Sequence, residues 1–229
     1  MKILGLINAR KGSKGIPKKN IKLLNKKPLI TYSIEAALKS KLINDLVVST
    51  DCNEIAKVSK QCGASVPFLR PDNLALDNTL QIEVIKHAVN YLKKNTKVYD
   101  IIILLQPTCP LRNEEDIDNS IRLLVNSNSD TVISVMKVTG HHPVTMYKGN
   151  PEIKLEPLIQ SNPEGVLRQE FNDIYWRNGA IYAFKEEVLL KNNSLYGKKI
   201  VGYEMPIERS ANIDEPFDWD FTEFLLNKA

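Results

Sequence analysis

Residues 101–105 read Ile-Ile-Ile-Leu-Leu, an apolar run with no alternation. A strand with one face in water alternates, so a run like this belongs to a strand covered on both faces, as in the middle of a parallel sheet. Comparable runs lie at residues 3–7, 45–49 and 131–135, with a short candidate at 67–69. Between them come patterns of helical period. Residues 28–38 carry Pro28 in the first turn and Leu29, Ile30, Ile34, Ala37 and Leu38 on one face. Residues 53–61 make a short helix with Gly63 as its terminator. Residues 78–92 place Leu80, Val84, Ile85, Ala88 and Leu92 along one stripe, and residues 114–125 follow Asn113 as a cap. The β-α-β-α order predicts an α/β fold: a doubly wound, mainly parallel, Rossmann-like sheet with right-handed crossovers.

The rhythm breaks after Lys137. Residues 139–175 hold Gly140, Pro143, Gly149, Pro151, Pro157, Pro163 and Gly165 and show no helical period. They predict an excursion containing a hairpin or extended arm. Strand patterns return at 179–184 and 200–203, and a helix near 217–227 closes the chain. The expectation is a single domain over residues 1–229 with 139–175 inserted in it.

Composition excludes several classes. A hydrophobic share of 43% over 229 residues is that of a globular protein with a sizeable core. No apolar run approaches the roughly 18 residues of a membrane span. The apolar start is too short for a secretory signal, so a cytoplasmic location is expected. Cys52, Cys62 and Cys109 are too few and too scattered for a disulfide framework or a zinc site. His87, His141 and His142 read as core or solvated histidines.

The net charge of +4 is too small to imply a nucleic-acid partner. Its placement is more informative. Residues 10–27 contain Arg10, Lys11, Lys14, Lys18, Lys19, Lys22, Lys26 and Lys27 with no acid among them. Removing these eight from +4 leaves the rest of the chain at −4. The run follows the first strand directly, where parallel sheets bind ligands, and holds Gly12 and Gly15, which let backbone N–H groups approach an anion. A polyphosphate is the natural partner. The spacing matches neither GxxxxGK[ST] nor GxGxxG.

Four stretches, in order, carry a resemblance. "ARKGSKGIPKKN", "FLRPDNLALD" (residues 68–77), "LLQPTCPLR" (104–112) and "WRNGAIYAF" (176–184) resemble the signature segments of the acylneuraminate cytidylyltransferases, the CMP-sialic acid synthetase family. The resemblance implies the nucleotide-diphospho-sugar transferase version of the fold. It also implies transfer of CMP from CTP to the anomeric hydroxyl of a nonulosonic acid, an acidic nine-carbon sugar, with release of pyrophosphate. By that resemblance Arg10, Ser13, Lys14 and Lys19 bind the triphosphate, and Asn20 and Arg70 lie near the nucleoside. On the residues alone, Arg70 reads as a surface arginine beside Pro71. Gln106, Arg112, Arg177, Asn178 and Gly179 become candidates for the sugar, and Arg10, Lys19 and Asp214 for catalysis. The excursion corresponds to a dimerisation arm, so a homodimer is expected, with Arg168 offered to the neighbouring subunit's sugar.

Nucleotidyl transfer calls for Mg²⁺, which takes carboxylates and phosphate oxygens. The family's late D-x-D motif stands here as Asn212-Ile213-Asp214, leaving Asp214 as the metal ligand; Asp214 also fits a cap for the last helix. The absence of an extra C-terminal domain suggests a bacterial enzyme carrying the transferase alone. A CMP-Kdo synthetase and a catalytically silent nucleotide-binding module are the alternatives. Lys19 reads as part of a solvent-facing loop, so Lys19→Ala is expected to weaken CTP use strongly in a kinetic assay while leaving the fold, and with it the melting temperature, unchanged.

Overall fold

The computed structural model describes residues 1–159 and 172–228. Six strands form one sheet in the order β10-β6-β9-β5-β1-β4. Strand β1 (Ile3–Asn8) pairs in parallel with β4 (Asp45–Ser49) on one side and β5 (Ile101–Leu105) on the other. Strand β6 (Thr131–Lys137) pairs in parallel with β10 (Ile200–Glu204). Strand β9 (Tyr175–Lys185) runs antiparallel to both β5 and β6. The reversal follows from the excursion. The chain leaves the sheet at the carboxyl end of β6 and re-enters from the same end, so the returning strand points backwards.

All five residues of β5 are buried, as an unbroken apolar run in mid-sheet requires. One face packs on α1 (Leu29–Lys39), α2 (Asn53–Gln61) and α4 (Glu114–Asn126), with Ile30, Ile34, Ile55, Ile117 and Ile121 in a shared cluster. The other packs on α3 (Gln81–Lys94) and α5 (Glu186–Leu190), through Ile85, Val89, Leu92 and Leu189. A third cluster lies outside the sheet, where Ile16, Leu24 and Leu29 meet Ile213 and Trp219 of the closing segment; α6 spans Pro216–Lys228. Leu24 belongs to a two-residue strand, β2 (Leu23–Leu24), paired antiparallel with β3 (Lys27–Pro28).

Three expectations shift. Residues 67–69 form no strand; Leu69 makes an isolated bridge to Thr50. Helix α3 starts at Gln81 rather than 78. Strand β9 extends four residues before Gly179, with Tyr175, Trp176 and Arg177 exposed, because β6 is long enough to pair with them. Within 139–175, a hairpin of β7 (Tyr147–Asn150) and β8 (Lys154–Pro157) is present, exposed at every strand position.

Asn113 caps α4 as expected. Its side chain accepts from Asp116 N, and the Asp116 carboxylate accepts from Asn113 N at 3.0 Å, a reciprocal capping box. Asp116 also accepts from Arg209 Nη2 at 2.6 Å and Tyr203 OH at 3.1 Å, tying α4 to β10 and to the segment that follows it. Asn113→Ala is expected to cost about 1 kcal/mol and lower the melting temperature by roughly 2–4 °C. An unchanged transition would show that the box contributes nothing.

Candidate active site

The chain passes from β1 to β4 on one side and then returns to β5 on the other. The order therefore switches at the carboxyl ends of β1 and β5, where α/β sheets open a crevice. A cleft of about 330 Å³ lies there, lined by Arg10, Gly12, Ser13, Lys14, Gly15, Lys19 and Asn20 from the loop after β1. Gln106, Pro107 and Thr108 after β5, and Asp214 ahead of α6, complete it with Asn8 and Gln81. A hollow of about 290 Å³ adjoins it, lined by Arg70, Leu74, Leu76, Asp77, Thr79 and Val84, and shares Asn8, Arg10 and Gln81. A larger hollow of about 460 Å³ sits at the other end of β5, against Tyr99, Ile101 and Glu186. It holds none of the basic-loop residues, so the chemistry belongs to the carboxyl-end cleft.

The basic loop is anchored rather than free. Ile16 is buried against Ile213 and Trp219. Asn20 is buried and its Nδ2 donates to Arg10 O at 2.9 Å, closing the loop on itself. Lys18 takes a left-handed conformation (φ 52°) at the turn. Gly15 is required by packing: a Cβ there would lie 2.3 Å from Asp214 O. Lys19 is not on a solvent-facing surface. Its side chain is 13% exposed, and Nζ donates to Ile213 O at 2.7 Å and lies 3.6 Å from Asp214 Oδ1. Lys19→Ala therefore removes a tie as well as a charge, and a lower melting temperature replaces the unchanged one expected above.

The second clamp on this segment comes from the loop after β5. Ile213 N donates to Thr108 O at 2.8 Å, and the Cys109 thiol donates to Asn212 Oδ1 at 3.4 Å. Burial pushes that thiol up to about 11, so it remains a neutral donor. Asn212 Nδ2 donates to Asp214 Oδ2 at 2.7 Å. Asp218, in the first turn of α6, reaches back so that its Oδ2 accepts from Asp214 N and Glu215 N, and fixes the backbone that enters the helix. Asp214 is left with its carboxylate in the cleft.

Acids distant in sequence neutralise the basic loop. Arg10 and Lys14 share the Asp77 carboxylate at 2.8 and 2.9 Å, and Lys18 pairs with Glu54 at 3.0 Å. The hydrogen bond from Lys14 and the nearby positive charges hold Asp77 below the usual carboxylate range. Asp77 thus occupies the position at which an anion meets two cations.

Arg70 is not the surface arginine its sequence context suggests. It is 5% exposed, and Nη2 donates to Ser49 O at 2.7 Å. Burial lowers its pKa, with Asp51 opposing. Arg112 and Asn178 lie beneath the cleft rather than in it. Arg112 is 3% exposed and donates to Gln106 O at 3.1 Å, Ala180 O at 2.9 Å and Ser33 Oγ. Burial pushes its pKa down to about 10. Through its two Nη groups the guanidinium holds the Gln106 turn from below, while Nε has no partner among the described residues. Asn178 is 4% exposed, with its amide bonded to Ser134, Ser210 and Ala180. Gly179 lies at φ +83°, and a Cβ there would sit 3.2 Å from Gln106 Oε1, so the Gln106 side chain rests on the glycine. Arg177 is exposed, donates to Tyr196 OH and lies 5.7 Å from the Tyr182 ring centre. Arg168 lies outside the described residues.

Asn8, Gln81 and Asp77 escaped the sequence reading. Asn8 carried a signal as the polar residue that ends the inward-facing series Leu4, Leu6, and Asp77 closes the signature stretch 68–77. Among the described residues there is no cluster of three or more His, Cys, Asp or Glu able to hold a metal, and no helix long and apolar enough to cross a membrane. One carboxylate beside a cationic cleft fits the donor set of Mg²⁺, which takes one or two protein carboxylates and fills its remaining positions with phosphate oxygens and water.

Residues 4–226 match the family model described as cytidylyltransferase. The chain is 35% identical to the CMP-N,N'-diacetyllegionaminic acid synthase of Legionella pneumophila, covering 99% of this chain and 97% of that protein. It is 34% identical to N-acylneuraminate cytidylyltransferase A of Danio rerio, covering 96% of this chain and 50% of that protein. In fold it is similar to a CMP:2-keto-3-deoxy-manno-octonic acid synthetase solved with CTP, at a TM-score of 0.72 and 18% identity, covering 100% and 99% of the two chains.

Gly179→Ala is expected to strain the left-handed backbone, lower stability by about 1 kcal/mol or more and displace Gln106. The check is a thermal melt beside turnover: a stable protein with unaltered turnover would separate Gln106 from the site.

Proposed function

The chain belongs to the cytidylyltransferase family, and we propose that it transfers CMP from CTP to the anomeric hydroxyl of a nonulosonic acid, releasing pyrophosphate. The observation that carries the reading is the meeting of the anchored cationic loop with Asp214, through Lys19, at the switch point of the sheet. Relatives matched over nearly their whole length act on N,N'-diacetyllegionaminic acid by name, which makes that sugar the first candidate.

In this reading the triphosphate lies along Arg10, Ser13, Lys14 and Lys19. Its oxygens replace the Asp77 carboxylate on Arg10 and Lys14, exchanging one anion for another, so the cations are already oriented when CTP arrives. Arg10 offers a planar fork, Lys14 and Lys19 point charges. As the bond between the α-phosphorus and the bridging oxygen breaks, negative charge grows on the leaving pyrophosphate, and these side chains neutralise it. Asp214 would hold Mg²⁺, with the Asn212 carbonyl as its neutral neighbour. When bound, the ion supplies further charge neutralisation and acidifies a nearby hydroxyl. Gln106, resting on Gly179 at the carboxyl end of β5, presents donors and an acceptor to the sugar. Arg177 lies further along the same strand. The exposed β7–β8 hairpin is the proposed dimer contact.

The test is pyrophosphate release from CTP and Mg²⁺ with N,N'-diacetyllegionaminic acid, N-acetylneuraminic acid and Kdo supplied separately. Release with a nine-carbon acid is expected. Release with Kdo alone would overturn the sugar class, and no release with any would overturn the activity. Asp214→Ala is expected to lower kcat/KM by roughly two orders of magnitude, and chelation to abolish turnover; a variant as active as the parent would remove Asp214 from the site.

A further inference from the structure

Eight buried side-chain atoms lack a hydrogen-bond partner among the described residues. Four of them gather at the carboxyl ends of β1 and β4: Nδ2 and Oδ1 of Asn8, Oγ of Ser49 and Nε of Arg70. Asn8 and Ser49 face each other in parallel register, and Arg70 Nη2 donates to Ser49 O at 2.7 Å. Asn8 lines both hollows, at the seam between the phosphate cleft and the pocket around Arg70.

The sequence of β1 makes this costly. Leu4 and Leu6 are fully buried on the α3 side of the sheet, and with a strand period of two Asn8 continues their face. A leucine there would extend the packing. An amide there finds no protein partner for its donor or its acceptor among the described residues, and burying such groups unpaired is costly. Native structures satisfy nearly all such groups, so an exception calls for a partner that arrives later. That partner is not a phosphate, since a phosphate cannot donate to Oδ1. It must bring a donor and acceptors along one edge.

Resting on the cytidylyltransferase reading above, we propose that Asn8 reads the cytosine base of CTP. Oδ1 accepts from the exocyclic amino group and Nδ2 donates to the ring nitrogen beside it. Ser49 Oγ and Arg70 Nε remain as donors for the ring carbonyl. Cytosine presents its groups in that order along one edge: amino donor, ring-nitrogen acceptor, carbonyl acceptor. The base then fills the pocket lined by Leu74, Leu76 and Val84, while the phosphates extend from the seam toward Arg10 and Lys14.

The experiment is titration and thermal melting of the parent, Asn8→Ala and Asn8→Leu with CTP and with 2'-deoxy-CTP. Asn8→Leu restores the apolar face and guards against a cavity effect in Asn8→Ala. Both variants are expected to melt, without ligand, at or above the parent temperature, because an unpaired buried amide has been removed. Both are expected to bind CTP and 2'-deoxy-CTP roughly tenfold or more weakly. Parental CTP affinity in the variants would overturn the assignment. So would a melting temperature several degrees lower in both, which marks a structural amide. A loss confined to CTP and absent with 2'-deoxy-CTP would move Asn8 to the ribose and also overturn it. A parent protein that binds no CTP would instead overturn the functional reading on which this one rests.

Discussion

The Lys19 ammonium joins two parts of the chain separated by 194 residues. It donates to Ile213 O and stands beside the Asp214 carboxylate. Without it the cationic loop after β1 and the acidic segment before α6 would have no polar link across the cleft. Because the lysine side chain is mostly buried, the contact is less screened than a surface ion pair. Its neighbours reinforce it. Ile16 packs against Ile213 and Trp219, Gly15 leaves room for the Asp214 carbonyl, and Thr108 O holds Ile213 N. The cations of the loop and the Asp214 carboxylate therefore meet at one place, in the cleft at the carboxyl ends of β1 and β5.

That place is dictated by the sheet. Strands buried on both faces can offer functional groups only at their ends. β1 and β5 are the neighbours between which the winding reverses, so the loops after them diverge and leave a crevice. The groups under the crevice are held as tightly as those in it. Arg112 carries the Gln106 turn from below on three acceptors, and Gly179 supports the Gln106 side chain. Above this hydrogen-bonded floor, the exposed Asp77 carboxylate pairs with Arg10 and Lys14.

Much of this was legible in the chain. The unbroken run at 101–105, the helix patterns and the Asn113 cap located the sheet and its helices, because local period and local capping decide them. The basic loop was legible for the same reason, its charges being adjacent in sequence. What was hidden depends on folding. No local signal brings Asp77 to Arg10 and Lys14, or Glu54 to Lys18, across tens of residues. Arg112 and Asn178 stand in the signature segments, yet the fold turns both inward, where they serve as buried donors to strand-end carbonyls and side chains. Arg70 moved the other way, from an apparent surface position to the wall of a pocket, because Ser49 O needed a donor. Asn8 was visible only as a polar residue breaking an apolar face, a signal that gains meaning once its orphaned amide is seen.

A phosphate-gripping loop makes one comparison decisive: the affinities of CMP and CTP, by calorimetry with Mg²⁺ and no sugar, at low and at high salt. If the loop after β1 holds the β- and γ-phosphates, CTP binds at least roughly a hundredfold tighter than CMP, and the margin narrows as salt rises. Equal affinities, insensitive to salt, would contradict that assignment and leave the clustered cations without the role their placement implies.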